Sequence, residues 1–507
     1  MIRTRTPTFI QVHGAAALLS VATGCYQAQP LDARALLNEL RAADRTEPGA
    51  GATAVPPKAL GTLTEERSVA VALVWNRGMR AFRHQHGVAE GEVIAAGALE
   101  NPQLRTELTH LQNLRYSSSN CPANAAGADC SLGWDLRLSW MPPQPGVRGG
   151  KIGAARARME DVDRQINERE WALACDVRVA HAELLAVDEQ IRIAKDTIAN
   201  RKRLSDVVGR RVERGGTTRF DLDLVRLSLA SSERAESERQ LSRTVAANAL
   251  VQLLGVGSPD GQVATGGTLA DDDGQERPSQ VELEDRALTN RPAVAATRAR
   301  YRATEETLRA ETALRWPWFR LSAIPRLRRN EFFGAVSDLV VGVDLILPIL
   351  NTNRGPIQSA KAAREGARAD VVAELAAVRT DIAKALAAID AQRGILRRLR
   401  AETAPILAEH DRLLALAAQA AEFDLSSMIA SENLVLESRI ELIEARLQLR
   451  KAWIALERAV GAPVVATAPV GASPAPPAPA PEPPPAAPAP AATPTAPVPA
   501  APLAKQR

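Results

Sequence analysis

Aromatic side chains are nearly missing from this chain, 3% of 507 residues, which is poor material for a compact globular core. Histidine and methionine are also scarce, at six and five, and no cluster of metal-ligating residues can be pointed to. A dominant charge is lacking too. The net charge is +4 and basic residues alternate with acidic ones along helix faces, so neither a nucleic-acid footprint nor an enzyme for acidic substrates is indicated. No nucleophile elbow, phosphate loop or metal-ligand spacing supports catalysis or implies a cofactor, and carboxylate pairs on helices are accounted for by flanking ion pairs. The apolar run from Ala15 to Ala22 is too short to cross a bilayer as a helix.

What is present is 46% apolar residues, mostly Ala, Leu and Val, with 24% charged residues. That is the composition of coiled coils, in which small and branched side chains fill a narrow seam and charges flank it.

The four cysteines have different roles. Cys25 follows a basic start (Arg3, Arg5), and Ala22-Thr23-Gly24-Cys25 resembles a bacterial lipobox, making Cys25 the acylated first residue of the mature chain; the competing reading is an ordinary signal peptide cut nearby. Cys121 and Cys130 bracket a short loop and in an exported protein read as a disulfide staple. Cys175, in the middle of a helical pattern, reads as a small packing residue.

The chain then says the same thing twice, in about 64–255 and 282–461, and such self-similarity sets the architecture. Each half opens on an amphipathic helix with an Asn-Arg pair, Asn76-Arg77 and Asn290-Arg291. The first of these helices is expected to run from Thr64, as N-cap, to about Ala98. Two alternating segments follow in each half. In Trp134-Asp135-Leu136-Arg137-Leu138-Ser139-Trp140 apolar and polar residues alternate strictly, and 101–116 does so more loosely; 319–323 and 341–347 are the second pair. Each approaches the 9–11 or so residues of a tilted membrane strand. Four strands cannot close a barrel alone, so the pattern demands several copies, most simply three. A soluble half-buried sheet packed on the helices is the alternative.

A heptad-patterned stretch closes each half. Ile166, Leu173, Val177, Ala180, Leu184, Val187, Ile191, Ala194 and Ile198 form one seam, and Leu375, Val378, Ile382, Ala385 and Ile389 the other. A continuous helix from Ile152 to Arg214 would reach about 90 Å. Reversals are expected at Arg214 to Leu222, where glycine supplies a left-handed turn and Thr217 or Thr218 caps the next helix, and at 420–428, which lacks the glycine. The boundaries read 1–24 signal peptide with lipobox, 25–62 strap, 63–257 first repeat, 258–280 linker, 281–462 second repeat and 463–507 tail. That tail, Ala/Pro-rich and disordered, holds nearly half of the 34 prolines and forms an extended spacer.

In this order, and twice over, the signals resemble the TolC family of outer-membrane efflux proteins, over nearly everything from Leu63 to Gly461. The residues that carry the resemblance are the duplicated Asn-Arg helix, Leu345-Ile346-Leu347-Pro348-Ile349-Leu350, Asn353-Arg354-Gly355 to Ala360, and the hairpin Gly216 to Leu222. The resemblance implies a mainly α fold with membrane β structure. It comprises long coiled-coil hairpins forming an α-helical barrel in the periplasm and four strands per chain in a twelve-stranded barrel of a homotrimer in the Gram-negative outer membrane. The partners implied are a periplasmic membrane-fusion adaptor, an inner-membrane transporter of the resistance-nodulation-division or ATP-binding-cassette type, and outer-membrane lipid, with no nucleic acid. The run from Leu347 to Gly355 is similar to the branch serving heavy-metal exporters. Type I protein secretion and a purely structural coiled-coil scaffold of the envelope are the alternatives to a duct for small molecules or metal ions.

Carried over residue by residue, Gly215, Gly216, Thr217, Thr218, Phe220, Asp221 and Leu222 match the first adaptor-contacting tip. Ala421 and Ser426 belong to the second, where Ala421 departs from the family's glycine. Asp424 and Glu432 are the candidate entrance-lining charges, with a solvated helix face as the alternative. Asp135, Arg137, Ser139, Arg320 and Asp344 are candidates for the barrel lumen, with Trp134, Trp140, Trp316 and Trp318 on the outside, in an interfacial aromatic belt; ordinary core tryptophans are the alternative.

Overall fold

The structure, a computed structural model, describes residues 31–43, 62–112, 130–255, 263–269, 273–274, 276–330, 334–417 and 424–464. Cys25, Cys121, Ala421 and the Pro-rich tail lie outside them.

In chain order the elements are α1 (Ala33–Ala43), α2 (Glu65–Trp75), α3 (Arg77–Gly97), β1 (Gln103–Gln112), β2 (Cys130–Trp140), α4 (Val147–Glu213) and α5 (Arg219–Leu254). There follow α6 (Gln280–Asn290), α7 (Pro292–Ala313), β3 (Trp318–Asn330), β4 (Gly334–Ile346), α8 (Arg354–Arg398), a π turn (Leu399–Thr403), α9 (Ala404–Ala417) and α10 (Leu425–Val460). The duplication is visible in this order: two helices, two strands, one very long helix and its return, twice.

Where a single opening helix is expected over 64–98, the chain makes two, broken at Asn76. Thr64 does cap the first, its Oγ1 accepting from the Arg67 N–H at 3.3 Å, and Ser279 caps α6 in the same way through the Glu282 N–H at 3.2 Å. Asn76 breaks the helix because its side chain serves both sides of the gap: Oδ1 accepts from the Met79 N–H at 2.8 Å and Nδ2 donates to the Leu253 carbonyl at 2.9 Å. In the second repeat the break falls on Arg291, before Pro292, which lacks the N–H that continuing the helix would use. Arg291 donates to the Ala459 carbonyl at 3.1 Å. The structural counterpart of Asn76 is therefore Arg291, and matching the two Asn-Arg pairs misaligns the repeats by one residue.

The 67-residue α4 is about 100 Å long, starting at Val147, ahead of the expected Ile152, and ending at Glu213, just before the expected Arg214. It packs along both the 36-residue α5 and the 21-residue α3, and α8 likewise packs along α10 and α7. Each long helix thus faces two shorter ones stacked end to end. The expected seam is inside: Val177, Ala180, Leu184, Ile191 and Ala194 are buried on α4, and Val378, Ile382, Ala385 and Ile389 on α8. Where α4 meets α7, Gly150 lies against Ala310, and the small residues Ala154 and Ala157 of α4 and Ala299 and Ala303 of α7 are buried. A β-carbon on Gly150 would come within 2.8 Å of the Glu306 carbonyl. Such close helix packing explains how so few aromatics suffice.

The four strands form one antiparallel sheet in the order β1-β2-β3-β4. β3 and β4 each have 13 residues, longer than the segments that alternate cleanly in the sequence. The linker between repeats is tied to the start of the first: the Leu63 N–H donates to the Ala264 carbonyl at 2.8 Å, and the Gly266 N–H to the Leu63 carbonyl at 2.9 Å. The π turn precedes Pro405, whose missing N–H loosens the ladder at that point.

Candidate functional site

Strand alternation and pairing register together divide the sheet into two unlike faces. Asp135 pairs with Glu107 and Arg326, Arg137 with Arg105, Ser139 with Gln103 and Ser322, and Arg320 with Asp344. All five lumen candidates therefore share one face, and it is a charged one, with Arg326 standing 3.8 Å from Asp135. The opposite face carries Leu104, Trp134, Leu136, Leu138, Trp140, Leu321, Leu339, Val341, Val343 and Leu345. These side chains are not tucked against helices: Val341 is 72% exposed, Val343 64% and Trp134 50%. An apolar face this open is stable only against lipid or a partner. β1 and β4 also leave two unpaired edges. Trp140 and Trp318 sit at the helix-side end of the sheet, their indole N–H groups donating to the Glu100 carbonyl at 3.1 Å and the Pro142 carbonyl at 2.6 Å. Trp316 is exposed. Trp318, however, falls on the same side of its strand as Arg320, not with Trp134 and Trp140.

At the far end of α4 the chain reverses through Gly215, whose φ of 76° is the left-handed conformation that glycine tolerates. Gly216 has no such need. Thr218 is the cap of α5: its Oγ1 accepts from the Asp221 N–H at 3.2 Å, and the Asp221 carboxylate accepts from the Thr218 N–H at 3.0 Å, a reciprocal capping box. Thr217 adds its hydroxyl to the same carboxylate at 2.7 Å. The Thr217 and Thr218 hydroxyls and the Thr218 N–H hold the Asp221 carboxyl below its ordinary range. Phe220 projects from this turn, 75% exposed, and Leu222 packs inward with Val208 and Val225.

At the start of α10, Asp424 is the N-cap, accepting from the Ser426 N–H at 3.1 Å and the Ser427 N–H at 3.3 Å as well as from both hydroxyls. These bonds, Ser427's first, lower its carboxyl. Glu432 is not a free entrance charge. It is mostly buried and stands 3.6 Å from the Arg201 Nε. The sequence reading groups Asp424 with Glu432; the structure gives one to a cap and the other to an ion pair.

Arg201 is missed by motif reading, although its signal was in the seam: the steps Ile191, Ala194, Ile198 continue to position 201. Only 3% exposed, its guanidinium donates to the Ser228 carbonyl at 3.0 Å, to the Ser232 hydroxyl and to Asn433. One cation thereby ties α4, α5 and α10 together above the tips. A second set crosses the repeats nearer the linker. Arg178 bonds Glu65 at 2.6 Å and also Glu457, while Arg450 bonds Glu65 at 2.8 Å. Burial pushes the Glu65 carboxyl up, but the charge of Arg450 and the bonds from Arg178 and Arg450 outweigh it and hold it low. Cys175 is buried and unbridged, and burial pushes its thiol up to about 11, which suits packing and not reactivity.

Among the described residues no group of His, Cys, Asp and Glu could hold a metal ion, and no helix is long and apolar enough to cross a membrane.

Residues 69–256 match the family described as outer membrane efflux protein. The cobalt-zinc-cadmium resistance protein CzcC of Cupriavidus metallidurans is 23% identical over 406 residues, 80% of this chain and 92% of that protein. The channel protein CusC has the same fold at a TM-score of 0.64 and 17% identity, covering 82% of this chain and 98% of that one. The outer membrane protein VceC of Vibrio cholerae aligns at 0.61 and 18% identity, covering 78% and 96%. A two-faced four-stranded sheet on a duplicated set of very long helices is thus the fold of these outer-membrane channels, and the first repeat carries the match to the outer membrane efflux protein family.

Proposed function

We propose that three copies of the chain close their sheets into a twelve-stranded barrel, continued by the long helices as a tunnel, and that this duct carries divalent heavy-metal ions outward. The observation that carries the reading is the sheet: one face charged, the other apolar and exposed, with an unpaired edge on each side. Pairing β1 of one copy with β4 of the next satisfies both edges. A coiled-coil scaffold has no use for the apolar face.

Within this reading the tips dock on the hairpin end of an adaptor fed by an inner-membrane transporter, which supplies the energy. Phe220 offers the apolar contact, while Gly215, Thr218 and Asp221 keep the turn in shape. Asp135, Arg137, Ser139, Arg320 and Asp344 line the lumen, where charged residues keep ions hydrated. The metal cargo is supported by the named role of the Cupriavidus relative, at 23% identity. The duct needs no ligands for its cargo, because the transporter selects it.

The test is a strain lacking this gene. Accumulation of cobalt, zinc and cadmium rises in that strain and returns to normal with the wild-type chain, but not with Phe220→Glu, whose trimer still forms. Unchanged metal accumulation with increased retention of organic toxicants would move the cargo to small molecules. A monomer that stays in water without detergent would end the duct reading.

A further inference from the structure

The reversal between α4 and α5 carries more positive charge than the fold uses. From Arg210 to Asp221 the chain has four arginines and two carboxylates. Asp221 is committed to the cap of α5, Glu213 is exposed, and Arg211 is half-buried and engaged within the chain. Arg210, Arg214 and Arg219 are exposed, and among the described residues none of these three makes an ion pair. Neighbouring cations do find carboxylates: Lys202 stands 3.0 Å from Glu233, and Arg226 3.9 Å from Asp223.

Helix electrostatics accounts for part of the set. Arg210 and Arg214 lie at the C-terminal end of α4, where a cation is favoured, but Arg219 is the first residue of α5, where the helix dipole opposes it. Next to Arg219 is Phe220, 75% exposed. An open aromatic ring among uncommitted guanidinium groups has the make-up of a binding hot spot. The second reversal differs, for Arg412 stands 3.7 Å from Glu409 and Asp424 is held in its cap. On a duct for divalent cations a basic rim at the entrance opposes the cargo unless something negative covers it.

We propose that the first tip binds an acidic protein segment, the hairpin end of the adaptor, whose carboxylates meet Arg210, Arg214 and Arg219 around an apolar contact with Phe220. This rests on the duct reading, to which it adds the charge of the partner.

Biolayer interferometry tests it, with the purified trimer immobilised, the purified adaptor of the same strain in solution, and salt varied. Affinity for the wild type falls steeply with salt. Changing all three arginines together, Arg210→Gln, Arg214→Gln and Arg219→Gln, weakens binding about tenfold, as three exposed ion pairs would, and flattens the salt dependence. The corresponding triple change to glutamate abolishes binding, and an adaptor whose end carboxylates are replaced by lysine restores it, which damage to the turn would not allow. Equal affinity of wild type and glutamine variant, no rescue by the lysine adaptor, or an adaptor end without surplus carboxylates each overturns the proposal. So does arginine-dependent binding of phosphatidylglycerol vesicles in place of the adaptor, or dissociation of the glutamine variant into monomers, which would assign the arginines to contacts between copies. Failure of the duct reading shows separately, as the lack of a trimer or as a trimer that binds no adaptor at any salt concentration.

Discussion

Gly255 lies against Asn76 so closely that a β-carbon built on the glycine would come within 2.6 Å of the asparagine Cα. Gly461 stands in the same relation to Arg291, also at 2.6 Å, and both glycines have positive φ, 71° and 80°. In each repeat the side chain at the break takes the carbonyl two residues before the glycine, Leu253 or Ala459. The returning helix thus ends on the gap between the two opening helices.

Gly255→Ala combines a backbone clash with an unfavourable φ and should cost about 1–3 kcal/mol. Thermal unfolding of the purified protein should show a lowered midpoint for Gly255→Ala and Gly461→Ala alike. Gly87→Ala is the control. It lies in α3 with nothing within 4 Å of its β-carbon and should be neutral or slightly stabilising.

Arg201→Ala should destabilise the tip region by about 3–5 kcal/mol, because it strands Glu432 beside an emptied site. Arg201→Met together with Glu432→Gln removes the charge while keeping volume and should recover most of that loss. Limited proteolysis near 204–225 reads the difference; equal resistance of Arg201→Ala and wild type would refute the clamp.

The two tips should share an acid limit. Asp221 and Asp424 have folded pKa values below the usual carboxylate range, so their capping contribution is present above the unfolded value and disappears as pH falls through the folded one. His86 works the other way. Its bond to Asp163 at 2.6 Å raises its pKa, so the tie between α3 and α4 is present below the unfolded value and lost as pH rises through the folded one. Hydrogen exchange across the pH range should show the amides of 218–222 and 426–428 loosening in acid and those near His86 loosening toward neutral and above.

The two faces of the sheet should respond oppositely to charge. Val343→Arg puts a guanidinium on the lipid side, a cost of about 2–4 kcal/mol near mid-bilayer, and heat-stable trimer in the outer-membrane fraction should fall. Arg320→Gln should assemble normally and alter the ion selectivity of single channels in a planar bilayer.

Much of this was legible because periodicity survives wherever a surface is shared along its whole length. The heptad seam of α4 and the strict alternation of 134–140 each name their buried or segregated face in the sequence itself. The break at Asn76 was not legible, because an asparagine inside an amphipathic pattern looks like a solvated position until the carbonyl of Leu253, 177 residues away, is seen to need it. The same blindness misaligned the repeats by one residue: the eye pairs Asn with Asn, whereas the fold pairs the residues facing a glycine. Arg201 sits on the seam in plain view, but a cation there carries meaning only once Ser228, Ser232 and Asn433 surround it. Glu432 likewise gains its partner, Arg201 at 3.6 Å, only once the fold brings α10 beside α4.

The joint at Gly255 and Asn76 makes the wall of the molecule a spliced beam, with the splice fixed in place and free shafts beneath it. Adding or removing seven residues in each of the four shafts below it would change the depth of the tube by about 10 Å while leaving the membrane portion and the splice untouched. Span and anchorage are therefore separate variables, and a protein built this way can be fitted to envelopes of different thickness by trimming only its lower shafts.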